Sequence, residues 1–217
     1  MTQLSLIVGF LLHLRKTKMS ELVLFTNAMS RGNTVDLLLK MMGVPYKRIE
    51  LAYGAEMHTA EYLAINPMAK VPALVDGDVV VTECAAICLY LADKFIEKEF
   101  APALNSPERG AYYRWFLFTA GPIESAFTVR DLGVELNEEQ QKSFGFGSVE
   151  RTLSTLEIGL ASAKPYICGA KITAVDVYVG CFVMFLIKYC NYAATPAMQT
   201  YMDNLSTHPE IAALMAV

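Results

Sequence analysis

Two short segments carry residues that could bind a small peptide through its main chain and its carboxylate. In the first segment, Pro72 has no N–H to donate to a strand ladder, so the backbone of Val71 is open to an outside partner. In the second segment, Glu83 and Cys84 stand where a helix begins, and free N–H groups at a helix start attract carboxylates. Together these segments predict a site for a small peptide with a free carboxylate end.

The two segments resemble the glutathione site of the glutathione S-transferase family, and the resemblance covers roughly residues 21 to 217. In that family a cis-proline follows the residue that pairs with the cysteinyl main chain of glutathione, and a Glu-Ser pair holds the γ-glutamyl end. The resemblance implies glutathione-binding roles for Val71, Pro72, Glu83 and Cys84, with Lys70 near the glycyl carboxylate. Cys84 departs from the family's serine, and a thiol is a weak donor. The simpler alternatives are an exposed loop lysine at 70 and a small buried residue at 84.

The loop Asn27–Arg31 follows the first predicted strand, where the family places a catalytic Ser, Tyr or Cys. Ser30 is predicted to stabilise the glutathione thiolate, with Asn27 as the second candidate, because hydroxyl hydrogen bonds and a helix start favour a thiolate. Arg31 would add positive charge. The alternatives are that Ser30 only caps the helix and that Arg31 is solvated. The absence of tyrosine and cysteine from this loop disfavours the tyrosine-type classes and the thiol-reductase members.

An aromatic group stands at the start of the second half of the chain, where the family lines a site for a hydrophobic co-substrate. Tyr112 and Phe116 are four residues apart and could share one helix face, so they are the candidates for that contact. The alternative is that this group packs in a core or a dimer interface. It comprises Tyr112, Tyr113, Trp115, Phe116 and Phe118.

Composition narrows the class of protein further. With 54% hydrophobic and 18% charged residues, the chain can build a substantial core. A net charge of −4 without a basic stripe argues against nucleic acid as a partner. Five cysteines without a C-x-x-C pair indicate reduced thiols in the cytoplasm, and three scattered histidines predict no metal site. The apolar runs 4–14 and 177–187 are too short to span a membrane, which needs about 20 residues.

The apolar spacing of the first half predicts alternating strands and helices. Strands are predicted at 22–26 and 46–51, with a helix at 31–42 between them that ends at Gly43. Asp76-Gly77-Asp78 predicts a hairpin between strands 72–75 and 79–82, followed by a helix at 83–98. The prediction is therefore an α+β domain, thioredoxin-like in its order β-α-β-α-β-β-α, at residues 21–98. Residues 1–20 are predicted to be an amino-terminal extension.

After a linker at 99–106, residues 107–217 are predicted to form an all-helical domain. Ser106 is expected to cap its first helix, and residues 138–163 read as one long amphipathic stretch. Thr173 and Asp176 have the spacing of a capping box for a buried helix. Pro196 and Pro209 are expected to begin the last two helices.

The resemblance implies a cytoplasmic glutathione transferase, a homodimer, that joins the thiolate of its co-substrate glutathione to electrophilic hydrophobic compounds, as in detoxification. Two alternatives stay open at this point. One is a non-catalytic binding or regulatory protein with the same fold, favoured by the weaker donor at Cys84. The other is a glutathione-dependent peroxidase or isomerase, because fold alone does not decide function.

Overall fold

The computed structural model describes residues 21–216, so the predicted extension at residues 1–20 lies outside the described part. The chain divides into two compact units, of which the first ends at Phe95 and the second begins at Ile96. The sequence predicts this division a few residues later, at residue 98. Each unit has its own buried apolar core.

The first unit is thioredoxin-like, with a four-stranded mixed sheet and helices. Within the described residues its strands run in the order β2-β1-β3-β4; β1 and β2 are parallel, and the other two pairs are antiparallel. The elements are β1 Leu22–Thr26, α1 Gly32–Met42, β2 Lys47–Glu50, a 3₁₀ turn Ala55–His58, α2 Ala60–Leu63, β3 Ala73–Asp76, β4 Val79–Thr82 and α3 Cys84–Lys94.

The predicted β-α-β start and β-hairpin are both confirmed. All five residues of β1 are buried, as expected for a strand with neighbours on both sides and cover on both faces. Helix α1 ends at Gly43, whose φ of 64° lies in the left-handed region that glycine adopts without steric cost. Helix α3 is shorter than predicted: it ends at Lys94, and a separate 3₁₀ turn follows at Ile96–Lys98.

Strand register brings the ends of several elements to one edge of the sheet. Phe25 pairs with Ala73, and Ala73 pairs with Thr82, so these three residues form a row across β1, β3 and β4. At this row, each of the three strands meets a connecting segment. The residues after β1, those before β3 and those after β4 therefore emerge at the same edge.

The second unit is helical, and the described part of it contains no extended strand. Its elements are a 3₁₀ turn Ile96–Lys98, α4 Glu108–Phe118, a π-helical turn Thr119–Ile123, α5 Glu124–Asp131, α6 Glu138–Ser143, α7 Val149–Ala161, α8 Ala174–Tyr189, α9 Pro196–Leu205 and α10 Pro209–Met215. Helix α8 is the most deeply buried: its residues from Ala174 to Gly180 are all buried.

The start of α8 is held by the predicted capping box. Thr173 and Asp176 exchange hydrogen bonds, and the Asp176 carboxylate also accepts from the Ile167 amide at 2.8 Å and the Tyr201 hydroxyl at 2.9 Å. Burial raises the pKa of Asp176, and these hydrogen bonds oppose that shift. Pro196 and Pro209 begin α9 and α10, as predicted.

Two expectations for this unit are wrong. Ser106 does not cap α4: Pro107 is the capping residue, and the Ser106 hydroxyl instead lies 2.5 Å from the Glu108 carboxylate. The stretch 138–163 is two helices, α6 and α7, instead of one. The break falls at residues 144–148, where Gly147 has a φ of 72° that a continuing helix cannot accommodate.

Candidate functional site

The residues predicted to do chemistry in the first unit gather at the sheet edge defined above. The loop Asn27–Arg31 leaves the carboxyl end of β1, Val71-Pro72 leads into β3, and Glu83 follows β4. A direct contact joins two of these segments, because the Cys84 Sγ donates to the Arg31 carbonyl at 3.3 Å. The fold therefore brings the backbone of Val71, the start of α3 and a polar loop to the same edge of the sheet.

The loop Asn27–Arg31 is held in shape mainly by its own side chains. The Ser30 hydroxyl donates to the Asn27 carbonyl at 2.7 Å and accepts from the Gly32 amide at 3.1 Å. The Asn27 carboxamide donates one N–H to the Leu51 carbonyl at 2.8 Å, while its oxygen accepts from the Met29 amide at 2.9 Å. A carboxamide nitrogen carries two N–H donors, and the second one of Asn27 has no acceptor among residues 21–216.

Three residues that the sequence analysis missed also fix this loop from outside. The Glu50 carboxylate accepts from the Ala28 amide at 2.6 Å, and the Tyr53 hydroxyl donates to the Met29 carbonyl at 3.2 Å. The Asn33 carboxamide donates to the Ala28 carbonyl at 2.6 Å. The predicted β-α-β unit could have placed Glu50 here, because β2 is parallel to β1 and its carboxyl end meets the same edge. The Tyr53 contact appears only in the folded chain.

Gly32 allows helix α1 to begin close to the end of β1. A Cβ at this position would overlap the Thr26 hydroxyl and come within 3.0 Å of the Ser30 Oγ. Any side chain here would push the loop away from the sheet. The glycine therefore contributes to the loop's geometry by its lack of a side chain.

The backbone before β3 offers the unpaired groups that the sequence predicts. Among the described residues, neither the N–H nor the C=O of Val71 has a hydrogen-bond partner. The preceding Lys70 carbonyl is held by the Tyr62 hydroxyl at 2.6 Å and the Asn66 carboxamide at 2.7 Å. Burial raises the pKa of Tyr62 to about 12, so this hydroxyl keeps its proton at neutral pH. The Val71-Pro72 bond is cis, as the resemblance implies.

The start of α3 supplies the second binding element. Glu83 is exposed and has a φ of 67°, a conformation that costs a non-glycine residue free energy and is common at ligand sites. The first helical hydrogen bond of α3 is from the Ile87 amide to the Glu83 carbonyl at 2.9 Å. The N–H groups of the first turn before it have no helical acceptor and suit a carboxylate.

The Cys84 side chain has a different partner from the one that the resemblance suggests. Its thiol is buried and donates to the carbonyl of Arg31, so it connects the start of α3 to the loop after β1. Arg31 is itself the residue that precedes α1. The thiol is thus engaged within the protein, and only the backbone at position 84 offers a donor to a ligand.

Cys84→Ser is expected to strengthen glutathione binding by a few-fold to about tenfold. A serine reaches less far than a cysteine towards the Arg31 carbonyl, which leaves its hydroxyl for a ligand carboxylate, and a neutral hydrogen bond contributes about 0.5–1.5 kcal/mol. Calorimetric titration with glutathione measures the effect. Cys88→Ser, one helical turn further on and fully buried, is the control and should give no gain. A Cys84→Ser variant with unchanged or weaker affinity would refute this placement of the γ-glutamyl carboxylate.

Tyr112 and Phe116 belong to the core of the helical unit. Both are 0% exposed, their rings lie 5.1 Å apart, and Phe116 also lies 5.1 Å from the Tyr178 ring. Complete burial of these two rings favours the alternative in which they pack in a core. It leaves neither of them side-chain surface for the hydrophobic co-substrate that the resemblance implied.

The structure adds two observations on metals and membranes for residues 21–216. No cluster of three or more His, Cys, Asp or Glu side chains in that range is arranged to hold a metal ion. None of the helices there has the length and apolar character needed to cross a membrane.

Comparison with known proteins finds one family in both halves of the chain. The glutathione S-transferase amino-terminal domain matches residues 20–93. A zeta class glutathione S-transferase of Euphorbia esula is 38% identical in an alignment of 208 positions that covers 87% of this chain and 92% of that protein. Glutathione S-transferase Z2 of Arabidopsis thaliana is 29% identical over 148 residues, 67% of this chain and 66% of that protein's length.

A solved structure shares the fold as well. The glutathione transferase URE2P6 of Phanerochaete chrysosporium, in complex with oxidized glutathione, aligns with a TM-score of 0.72. It is 24% identical, and the alignment covers 91% of this chain and 96% of that one. At this identity the likeness concerns the arrangement of the backbone.

Proposed function

The chain belongs to the glutathione S-transferase family, and we propose that it is an enzyme that joins glutathione to electrophilic hydrophobic compounds. The observation that carries the proposal is the unpaired backbone of Val71 beside the open first turn of α3. An extended tripeptide needs one partner for its central main chain and others for its charged ends. This edge of the sheet offers both kinds of partner.

In the proposed complex, glutathione pairs its cysteinyl main chain with the N–H and C=O of Val71. Its γ-glutamyl carboxylate meets the first turn of α3 at Cys84, and its ammonium group meets the Glu83 carboxylate. The exposed Lys70 is proposed to pair with the glycyl carboxylate. The related structure with bound oxidized glutathione supports this type of ligand for the fold.

The glutathione thiol then lies beside the loop Asn27–Arg31, whose donors are proposed to stabilise its thiolate. The spare N–H of Asn27 supports its role, because that donor needs no rearrangement. Ser30 must first release the Asn27 carbonyl, to which its proton is bonded at 2.7 Å. The exposed Arg31 adds positive charge nearby. Both Asn27 and Ser30 remain candidates for the direct contact.

The proposed reaction is a nucleophilic attack by sulfur. The thiol gives its proton to water, and the sulfur electron pair forms a bond to an electrophilic carbon, which releases its leaving group or shifts its π electrons. The protein contributes proximity and a lower thiol pKa, because donors near the sulfur favour the anion. No side chain forms a covalent bond in this scheme.

Replacing the loop donors should separate their roles. Asn27→Ala is expected to raise the pKa of bound glutathione by about one unit, which is 1.36 kcal/mol, and to lower turnover by about tenfold at pH values below both pKa values and by less near neutral pH. Ser30→Ala should also lower turnover. The pH–rate profile of each variant, read beside its glutathione affinity, is the measurement.

Asn33→Ala is the matched control for these variants, because it releases the Ala28 carbonyl of the same loop without removing a proposed donor. If Asn33→Ala shifts the profile as far as Asn27→Ala does, the shift reflects loosening of the loop. If Asn27→Ala leaves the profile unchanged and Ser30→Ala moves it, the contact belongs to Ser30.

A second candidate function is glutathione binding without catalysis. The Ser30 proton and the Cys84 thiol are both committed to backbone carbonyls, which supports this alternative. The two functions differ in one measurable property. A catalytic site lowers the pKa of the bound thiol below that of free glutathione, whereas a binding protein leaves it unchanged.

We also propose that the partner of this chain is a second copy, as the family resemblance implies. The two outer strands of the sheet, β2 and β4, differ in a way that supports this. The edge strand β2 carries Lys47, Arg48 and Glu50, and charges protect an edge, whereas the edge strand β4 exposes 46% of both Val79 and Val80. Light scattering that gives the mass of one chain at micromolar concentration would contradict it.

A further inference from the structure

Tyr53 stands out among the side-chain donors around the loop Asn27–Arg31. The Ser30 hydroxyl and the Asn27 carboxamide make bonds of 2.7 and 2.8 Å to backbone carbonyls. The Tyr53 bond to the Met29 carbonyl is 3.2 Å long, beyond the usual range for an O–H donor to oxygen. Of these three protons, that of Tyr53 is therefore the least firmly held.

The position of Tyr53 follows from the parallel pairing of β1 and β2. Thr26 pairs with Glu50, so the segment after β2 runs beside the segment after β1. Tyr53 stands three residues beyond the end of β2 and reaches across to Met29, in the middle of the loop. Its side chain is 59% exposed, and Met29 beside it is 76% exposed, so both face outward at this edge.

We propose that Tyr53 is a further catalytic residue, whose phenol turns from the Met29 carbonyl to donate a hydrogen bond to the glutathione sulfur. The inference rests on the proposed function, because it requires glutathione at this edge. The exchange is favourable because an anionic acceptor makes a stronger hydrogen bond than a neutral carbonyl. Tyr53 keeps its proton throughout, and the proton of the thiol goes to water.

This assignment accounts for an unusual combination of features. The loop after β1 contains no tyrosine, and its serine hydroxyl is bonded internally. Tyr53, in the segment that follows β2, supplies a phenol beside this loop. The sequence alone does not indicate this, because Tyr53 and Met29 are 24 positions apart.

The test begins with Tyr53→Phe and the ultraviolet absorbance of the thiolate as pH is varied with glutathione bound. The variant is expected to raise the pKa of bound glutathione by about one unit, while the affinity for S-methylglutathione, which has no thiol, stays unchanged. Tyr90→Phe is the matched control. It also removes a tyrosine hydroxyl from the first unit, but that hydroxyl bonds Asp76 at the other end of β3.

A second variant distinguishes a hydrogen-bond donor to the glutathione sulfur from a residue that only holds Met29 in place. Replacement of Tyr53 by 3-fluorotyrosine keeps the ring and makes the hydroxyl a stronger donor, so the pKa of bound glutathione should fall below the wild-type value. A residue that only tethers Met29 would give no such fall. If the pKa of bound glutathione rises in Tyr53→Phe but does not fall in the fluorinated variant, the catalytic assignment is overturned.

The outcomes also separate this inference from the function on which it rests. Suppose that the wild-type protein binds glutathione and lowers its thiol pKa, and that Tyr53→Phe gives the same thiol pKa. This result refutes the role of Tyr53 and leaves the transferase proposal intact. Wild-type protein that binds no glutathione refutes both.

Discussion

Asp176→Ala is expected to lower the free energy of unfolding of the helical unit by about 3–5 kcal/mol. The Asp176 carboxylate is fully buried and accepts four hydrogen bonds, from the Ile167 and Thr173 amides and from the Thr173 and Tyr201 hydroxyls. Removing it leaves these donors, three of which belong to the buried Thr173 and Tyr201, without acceptors, at about 1–3 kcal/mol for each buried one before relaxation. Thermal unfolding should show a fall in midpoint of roughly 10 °C.

Two further variants sharpen this prediction. Asp176→Asn keeps one acceptor oxygen but turns an NH2 group, which cannot accept, towards the other two donors, so it should cost at least half as much. Asp203→Ala removes an exposed carboxylate on α9 that accepts only from Gln199 at 2.8 Å among the bonds described, and should change stability by less than about 0.5 kcal/mol. An Asp176→Ala protein that melts within a degree or two of the wild type would show that the capping box does not hold α8 in place.

Glu83→Gln is expected to weaken glutathione binding about tenfold. The proposed contact joins the Glu83 carboxylate to the ammonium group of the γ-glutamyl end, and a hydrogen bond to a charged partner contributes about 1.5–3 kcal/mol, less where solvent screens it. Glutamine keeps the size and backbone of the residue but not its charge. Calorimetry of the variant and the wild type, at equal pH and salt, measures the difference.

The ligand itself provides the sharpest control for Glu83→Gln. Cysteinylglycine lacks the γ-glutamyl group, so wild type and variant should bind it equally weakly. Glu61→Gln, on α2 of the same unit, is the matched protein control and should leave glutathione affinity unchanged. If Glu83→Gln and Glu61→Gln bind glutathione equally well, Glu83 is not the partner of the ammonium group.

Features that depend on a few neighbouring residues could be predicted from the sequence. The capping box at Thr173 and Asp176, the end of α1 at Gly43 and the prolines that begin α9 and α10 all follow from local chemistry. The break between α6 and α7 was missed because an amphipathic pattern continued across it. Local glycines, one of them with a positive φ, overrode that pattern.

The candidate site shows the same division between local and distant contacts. Val71, Glu83 and the loop after β1 could be identified because each stands at the end of a predicted element. Tyr53 and Tyr62 could not, because their partners, the Met29 and Lys70 carbonyls, are reached only once the chain is folded. Tyr112 and Phe116 have the helical spacing of a shared face, but the spacing does not tell a ligand-facing surface from a core, and both are buried.

The central claim is that glutathione binds at the edge formed by Val71 and the start of α3, and calorimetric titration of the wild-type protein with glutathione tests it most directly. The account predicts one saturable site per chain with a dissociation constant below the millimolar range, and competition by S-methylglutathione for the same site. The absence of any binding heat at millimolar glutathione, with no competition between these ligands, would contradict the account.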